Sequence, residues 1–245
     1  MSTAGIELVL IFGALGAFVQ TVTGFGGALV LAPVLFATLQ PAQAVLISAL
    51  LGIVQSGLLV ARNRREVLRS DLRSLIGFAV PGLAAGVLVL RVAPSSLLRV
   101  VVGVSVIVAT IVRRVRSPGR PMSRLAAAPA GFLAGLLTTS ATVNGPPLVL
   151  FLSGRGATAA QMRGTLAAIF IVLDTLTLFA LAGGGALVLP PLAAVIALAI
   201  SFPLGLVAGF RLGDRMPEEV YARSVTVLLL ALGVASIVAG MTSWG

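Results

Sequence analysis

Two short runs gather most of the residues able to do chemistry away from the charged loops. The first reads Gln20-Thr21-Val22-Thr23-Gly24-Phe25-Gly26-Gly27, and the second Thr138-Thr139-Ser140-Ala141-Thr142-Val143-Asn144-Gly145-Pro146-Pro147. Each sets hydroxyl or amide side chains beside glycines within an otherwise apolar region. Glycine and proline interrupt the helical hydrogen-bond ladder, and Thr, Ser and Asn can satisfy the backbone groups so freed. At such a break, exposed N–H groups and the positive end of a half-helix point into one small volume, which suits an anion. The candidate ligands are Thr21, Thr23, Gly24, Gly26 and Gly27 from the first run, and Ser140, Thr142, Asn144 and Gly145 from the second. Neutral donors release an anion more readily than a cluster of arginines would, so binding followed by release is the chemistry they fit. A second reading stays open, in which the donors only satisfy kinked helices and the glycines only permit close helix packing.

Three further residues are candidates for coupling or gating. Asp174 is the only acid well inside an apolar span. An ionised carboxylate there costs about 2.5–3.5 kcal/mol or more, so it must be protonated, paired or facing water. It either exchanges a proton or gates a path, or it is a protonated Asp hydrogen-bonded to a neighbouring helix. Gln55 is its polar counterpart in the first half of the chain. Arg163, in Gln161-Met162-Arg163-Gly164-Thr165, stands close to the second run, where it either draws anions to the inner mouth or snorkels to the interface.

Composition excludes several other chemistries. With no Cys and no His, the chain has no thiolate nucleophile, disulfide, imidazole base or familiar zinc, haem or iron–sulfur ligation. The other acids, Glu7, Glu66, Asp71, Asp214, Glu218 and Glu219, make no paired cluster inside an apolar span that would hold Mg²⁺. No enzyme, cofactor or metal is therefore expected. The net charge of +10 comes from seventeen arginines in short clusters between apolar spans. The positive-inside rule and anionic lipid account for that charge without a nucleic-acid partner.

The elements that must position these residues are membrane helices. Of 245 residues, 58% are hydrophobic and only 10% charged, too few polar residues to cover a soluble fold. Residues 41–61, 74–90, 95–112, 164–182, 187–210 and 224–241 each read as one crossing. The apolar regions 6–38 and 125–153 do not. As one helix the first would be roughly 50 Å long, well beyond a ~30 Å hydrocarbon layer, so it must tilt, overhang or break.

An offset of 119 places Gly16 on Gly135, Thr21 on Ser140, Thr23 on Thr142, Gly26 on Gly145 and Gln55 on Asp174; near the end of each half the offset becomes 123, with Gly82 on Gly205 and Gly86 on Gly209. The chain divides into a first membrane repeat (1–112), a basic cytoplasmic linker (113–124) and a second membrane repeat (125–245). If all eight apolar regions cross once, ten arginines fall on one side and seven on the other. If regions 6–38 and 125–153 are re-entrant hairpins, fifteen lie inside and only Arg91 and Arg99 outside, the asymmetry the positive-inside rule favours. The expected fold is an all-α polytopic membrane protein of two inverted repeats, each a re-entrant, broken-helix hairpin plus three transmembrane helices. Both termini lie outside, and the breaks face each other near the midplane.

The runs Thr23-Gly24-Phe25-Gly26-Gly27, Gly131-Phe132-Leu133-Ala134-Gly135-Leu136-Leu137 leading into Asn144-Gly145-Pro146-Pro147, and Arg163-Gly164-Thr165 together resemble the sulfite exporter family of the TauE/SafE type, also called the toluene-sulfonate uptake permease family. The resemblance spans essentially the whole chain. It implies a transporter of sulfite, organosulfonates, sulfoacetate or thiosulfate in the bacterial cytoplasmic membrane. Export by alternating access, coupled to protons or to membrane potential, is the leading expectation. A permease for another small organic anion and a non-transporting membrane anchor subunit are the alternatives. The expected partners are the anion and the lipid bilayer. The glycine-rich stretches 183–185 and 205–209 also permit a homodimer.

Overall fold

A computed structural model describes residues 2–114 and 123–212, together with 230, 234, 237, 238 and 241. Most of the expected crossing 224–241 and most of the linker 113–124 lie outside this set. Nine helices are described: α1 (Thr3–Thr23), α2 (Gly27–Thr38), α3 (Pro41–Asn63), α4 (Arg69–Val92), α5 (Ser95–Arg114), α6 (Ala127–Ala141), α7 (Gly145–Gly154), α8 (Ala159–Gly183) and α9 (Leu192–Leu212). Short 3₁₀ turns at Arg64–Glu66 and Arg124–Ala126 lead into α4 and α6. No strand occurs among the described residues. Five of the helices, α1, α3, α4, α8 and α9, are long and apolar enough to cross a membrane.

Both long apolar regions break at the glycine-bearing runs. Gly24 and Gly26 take φ values of 83° and 96°, a left-handed conformation that ends α1 and opens α2. α2 folds back along α1, so that a β-carbon on Gly16 would meet the Gly27 carbonyl at 2.9 Å and Leu31 at 3.5 Å. The first region is therefore a helical hairpin with unequal arms. At ~1.5 Å per residue, α1 alone is about 31 Å, a full crossing length, and α2 about 18 Å. In the second region α6 stops at Thr142, and α7 packs back against it.

The order α1–α2–α3–α4 is matched by α6–α7–α8–α9, and the tightest packing exchanges between these sets. α1 lies along α9, α6 along α4, and α3 along α8. Glycines that the offset of 123 pairs make both contacts possible. β-Carbons on Gly82 and Gly86 of α4 would run into the backbone of α6 at Phe132 and Leu136; those on Gly205 and Gly209 of α9 would run into α1 at Ala14 and Thr21. Small residues let helix backbones approach in a membrane, where lipid gives apolar contact no advantage of its own. The buried core runs between the two sets and includes Leu29, Phe36, Leu148, Phe151, Leu166 and Leu173. Leu88, Phe179 and Leu204 are well exposed on the outer surface, as lipid-facing positions should be.

Candidate functional site: the cavity between the two breaks

The two breaks touch, with the Phe25 ring 3.4 Å from where a β-carbon on Gly145 would stand. Beside that contact is a cavity of about 50 Å³, several times the ~10–15 Å³ that one water needs. Gly26 and Gly27 line it from the first break, and Thr142, Val143, Asn144 and Gly145 from the second. Gln20 of α1, Ser48, Gly52 and Gln55 of α3, and Phe170 and Asp174 of α8 complete most of its wall.

Each break contributes differently. At the N-terminus of α2 the cap is Gly26, which has no side chain to engage the first N–H groups, and Gly27, Ala28 and Leu29 all line the cavity. The amides of a helix's first turn have no partner within the helix and carry its positive end. The second break cannot do the same. Its residues at the second and third positions of α7 are Pro146 and Pro147, which have no N–H, so the expected cradle of backbone donors there shrinks to Gly145. The same prolines deprive Asn144 of the usual targets of a capping residue, and its side chain makes no capping bond. The carboxamide is left for the cavity.

Thr142 is the only non-glycine with positive φ among the described residues, at 59°. Its N–H bonds the Thr138 carbonyl and that of Val143 the Leu137 carbonyl, each at 3.2 Å, which ends α6 in a left-handed cap. Glycine is the usual residue there, and a β-branched side chain is strained. The Thr142 hydroxyl is buried and has no hydrogen-bond partner among the described residues. Backbone strain and a buried hydroxyl without a partner, together at a cavity wall, make Thr142 a candidate functional residue.

Asp174 and Gln55 face this cavity from opposite helices, α8 and α3. Asp174 is only 8% exposed, and among the described residues it has no ion-pair or hydrogen-bond partner. Gln55 is 2% exposed; its Nε2 donates to the Ala17 carbonyl at 2.7 Å and to the Thr21 hydroxyl at 2.9 Å.

Of the residues expected at the site, the cavity brings together Gly26, Gly27, Thr142, Asn144, Gly145, Gln55 and Asp174, and leaves the others out. The Thr23 hydroxyl donates to the Val19 carbonyl at 2.9 Å, accepts from the Phe25 N–H at 3.2 Å and contacts the Phe25 carbonyl, all of which hold the first turn in shape. Gly24 packs on Arg163, Ser140 donates to the Leu136 carbonyl at 2.7 Å, and Thr21 and Arg163 line a second cavity. Three polar lining residues were not expected. Gln20 and Thr138 stand in the two quoted runs, and Ser48, whose buried hydroxyl has no partner among the described residues, is a lone polar residue on an apolar turn of α3.

A family model described as Sulfite exporter TauE/SafE matches residues 9–236, nearly the whole chain. Comparison with curated proteins and with solved structures returned no match.

Proposed function

Because the chain belongs to the sulfite exporter TauE/SafE family, a family of membrane transporters, we propose that it carries a small sulfur oxyanion or organosulfonate through the cavity between its two helix breaks. The observation that carries this reading is the pairing of the orphaned Thr142 hydroxyl and the uncommitted Asn144 carboxamide with the first-turn amides of α2 around one small cavity. Such neutral donors bind an anion through charge-assisted hydrogen bonds and can let it go again.

Asp174 sets the coupling. At about 4 Å two like charges repel by about 4 kcal/mol at an effective dielectric of 20. An ionised Asp174 therefore opposes the anion, whereas a protonated one offers it a further donor. Proton and anion travel together. Divalent sulfite with one proton still carries net negative charge, so an inside-negative potential drives its export.

The two halves, 1–112 and 125–245, act as inverted repeats joined by the linker 113–124, with basic loops in the cytoplasm of a bacterial cell and the hairpins rocking to expose the cavity to each side in turn. The exchanged packing of α1 on α9 and α6 on α4 supports this arrangement.

The test is flux of radiolabelled sulfite, sulfoacetate and thiosulfate, with acetate as control, in proteoliposomes under an imposed pH gradient or potential. A sulfur-anion flux that falls at least tenfold in Thr142→Val and Asn144→Leu is the expected result. Equal acetate flux would point to a general organic-anion permease, and no flux from inserted, folded protein would point to a membrane anchor.

A further inference from the structure

A second cavity, of about 190 Å³, opens where α3 ends and α8 begins. It is about four times the volume of the central one, and Arg62, Asn63, Arg163 and Thr21 line it with no acidic side chain among the described lining residues. The Arg62 guanidinium lies 5.3 Å from the centre of the Phe210 ring, a stacking contact that fixes its place. Arg163 is fixed by the tip of the first hairpin, because Gly24 leaves room for its stem. Asn63 donates to the Leu59 carbonyl at 2.9 Å at the end of α3.

One hydrogen bond joins the linings of the two cavities. Gln55 lines the central one and Thr21 the second, and Gln55 Nε2 donates to the Thr21 hydroxyl at 2.9 Å. Gly209 backs Thr21 in this position, since a β-carbon there would stand 2.7 Å from the Thr21 Cβ.

We propose that the second cavity is an antechamber that holds an oxyanion or sulfonate between Arg62 and Arg163, and that the Gln55–Thr21 pair is the gate between it and the central cavity. This rests on the transport reading above and adds to it a site and a barrier. Two guanidinium groups concentrate the anion at the mouth. The roomier space admits it with part of its hydration shell, and the smaller cavity beyond takes it once the Gln55–Thr21 bond opens. A lipid headgroup offers the same chemistry as a free anion, so the test must separate the two.

The chain has no cysteine, so Val22→Cys places a single thiol in the antechamber wall. In nanodiscs of zwitterionic lipid, sulfoacetate is expected to slow maleimide labelling of that thiol at least threefold, while acetate leaves it unchanged. Adding Arg62→Gln and Arg163→Gln abolishes the protection, and Arg62→Lys with Arg163→Lys keeps part of it. Labelling indifferent to sulfoacetate, protection that survives loss of both guanidinium groups, or protection by phosphatidylglycerol alone would overturn the site. In a Ser48→Cys protein, Gln55→Ala is expected to raise labelling by an impermeant maleimide several-fold; an unchanged rate would overturn the gate. Protection without flux keeps the anion site and sinks the transport reading, and flux without protection does the reverse.

Discussion

The Asp174 carboxylate stands where a β-carbon on Gly52 would have to be. α8 thus presses its one buried acid against the bare backbone of α3, and that fit aims the carboxyl into the central cavity. A methyl group on Gly52 forces Asp174 to turn or the helices to part. Overpacking of this kind costs typically ~1–3 kcal/mol. Gly52→Ala is expected to lower the thermal stability of the purified protein and to cut sulfoacetate flux. Adding Asp174→Ala to it restores the stability, although not the flux, because the two changes meet at one contact. Additive losses of stability in that double variant would mean that the contact does not exist in the membrane.

Asp174→Asn keeps the shape of the side chain and removes the proton. In the native protein, sulfoacetate accumulation is expected to respond to an imposed pH gradient. In the variant it responds to potential alone. The measurement is accumulation in proteoliposomes under each gradient separately, and an unchanged response to pH would move the coupling to another group.

The hairpins were legible because glycine and proline announce themselves in an apolar region, and the offset of 119 pointed to both breaks. The division of labour at the breaks was less plain. Thr23 and Thr142 are equivalent by that offset, yet Thr23 turns inward to hold its own loop while Thr142 faces the cavity. The glycines at 24 and 26 make the first turn without strain, so its threonine is free to be structural. The second turn has no glycine at the left-handed position, and the threonine itself must adopt it.

Arg163-Gly164-Thr165 shows a similar limit. Its charge was readable, but each residue holds a different element. Arg163 packs on Gly24, Gly164 admits the Asn63 carbonyl, and the Thr165 hydroxyl accepts the Leu68 N–H at 3.0 Å. Ser48 escaped notice because α3 is apolar on most of its faces, and periodicity then gives little indication of which face meets a cavity.

The matched glycines of α4 and α9 give a prediction about packing. Gly82→Ala and Gly205→Ala each drive a methyl group into the backbone of the partner helix, α6 or α1. Both are expected to lower the melting temperature in detergent and the yield of inserted protein, and to similar extents. Gly57→Ala and Gly77→Ala are the controls, since none of the described residues lies within 4 Å of a β-carbon at either position. There a small gain is expected, at most the ~1 kcal/mol by which Ala exceeds Gly in helix propensity. Unequal losses at Gly82 and Gly205 would argue against the structural equivalence of the two exchanged contacts.

Thr142→Gly separates what the residue costs from what it does. Glycine takes the left-handed conformation freely, so the variant relieves strain at a position where a β-branched residue stands at a φ of 59°. It also deletes a hydroxyl that has no partner among the described residues, so none of their buried bonds is broken. Stability should therefore hold or rise. If that hydroxyl binds the anion, its removal forfeits a hydrogen bond to a charged group, about 1.5–3 kcal/mol, or roughly a tenfold to hundredfold loss of affinity. Melting temperature and the half-saturating concentration for sulfoacetate flux, measured on the same preparation, are expected to move in these opposite senses. A variant with unchanged half-saturation would place the anion elsewhere, and one that is much less stable would mean that Thr142 is there for the fold.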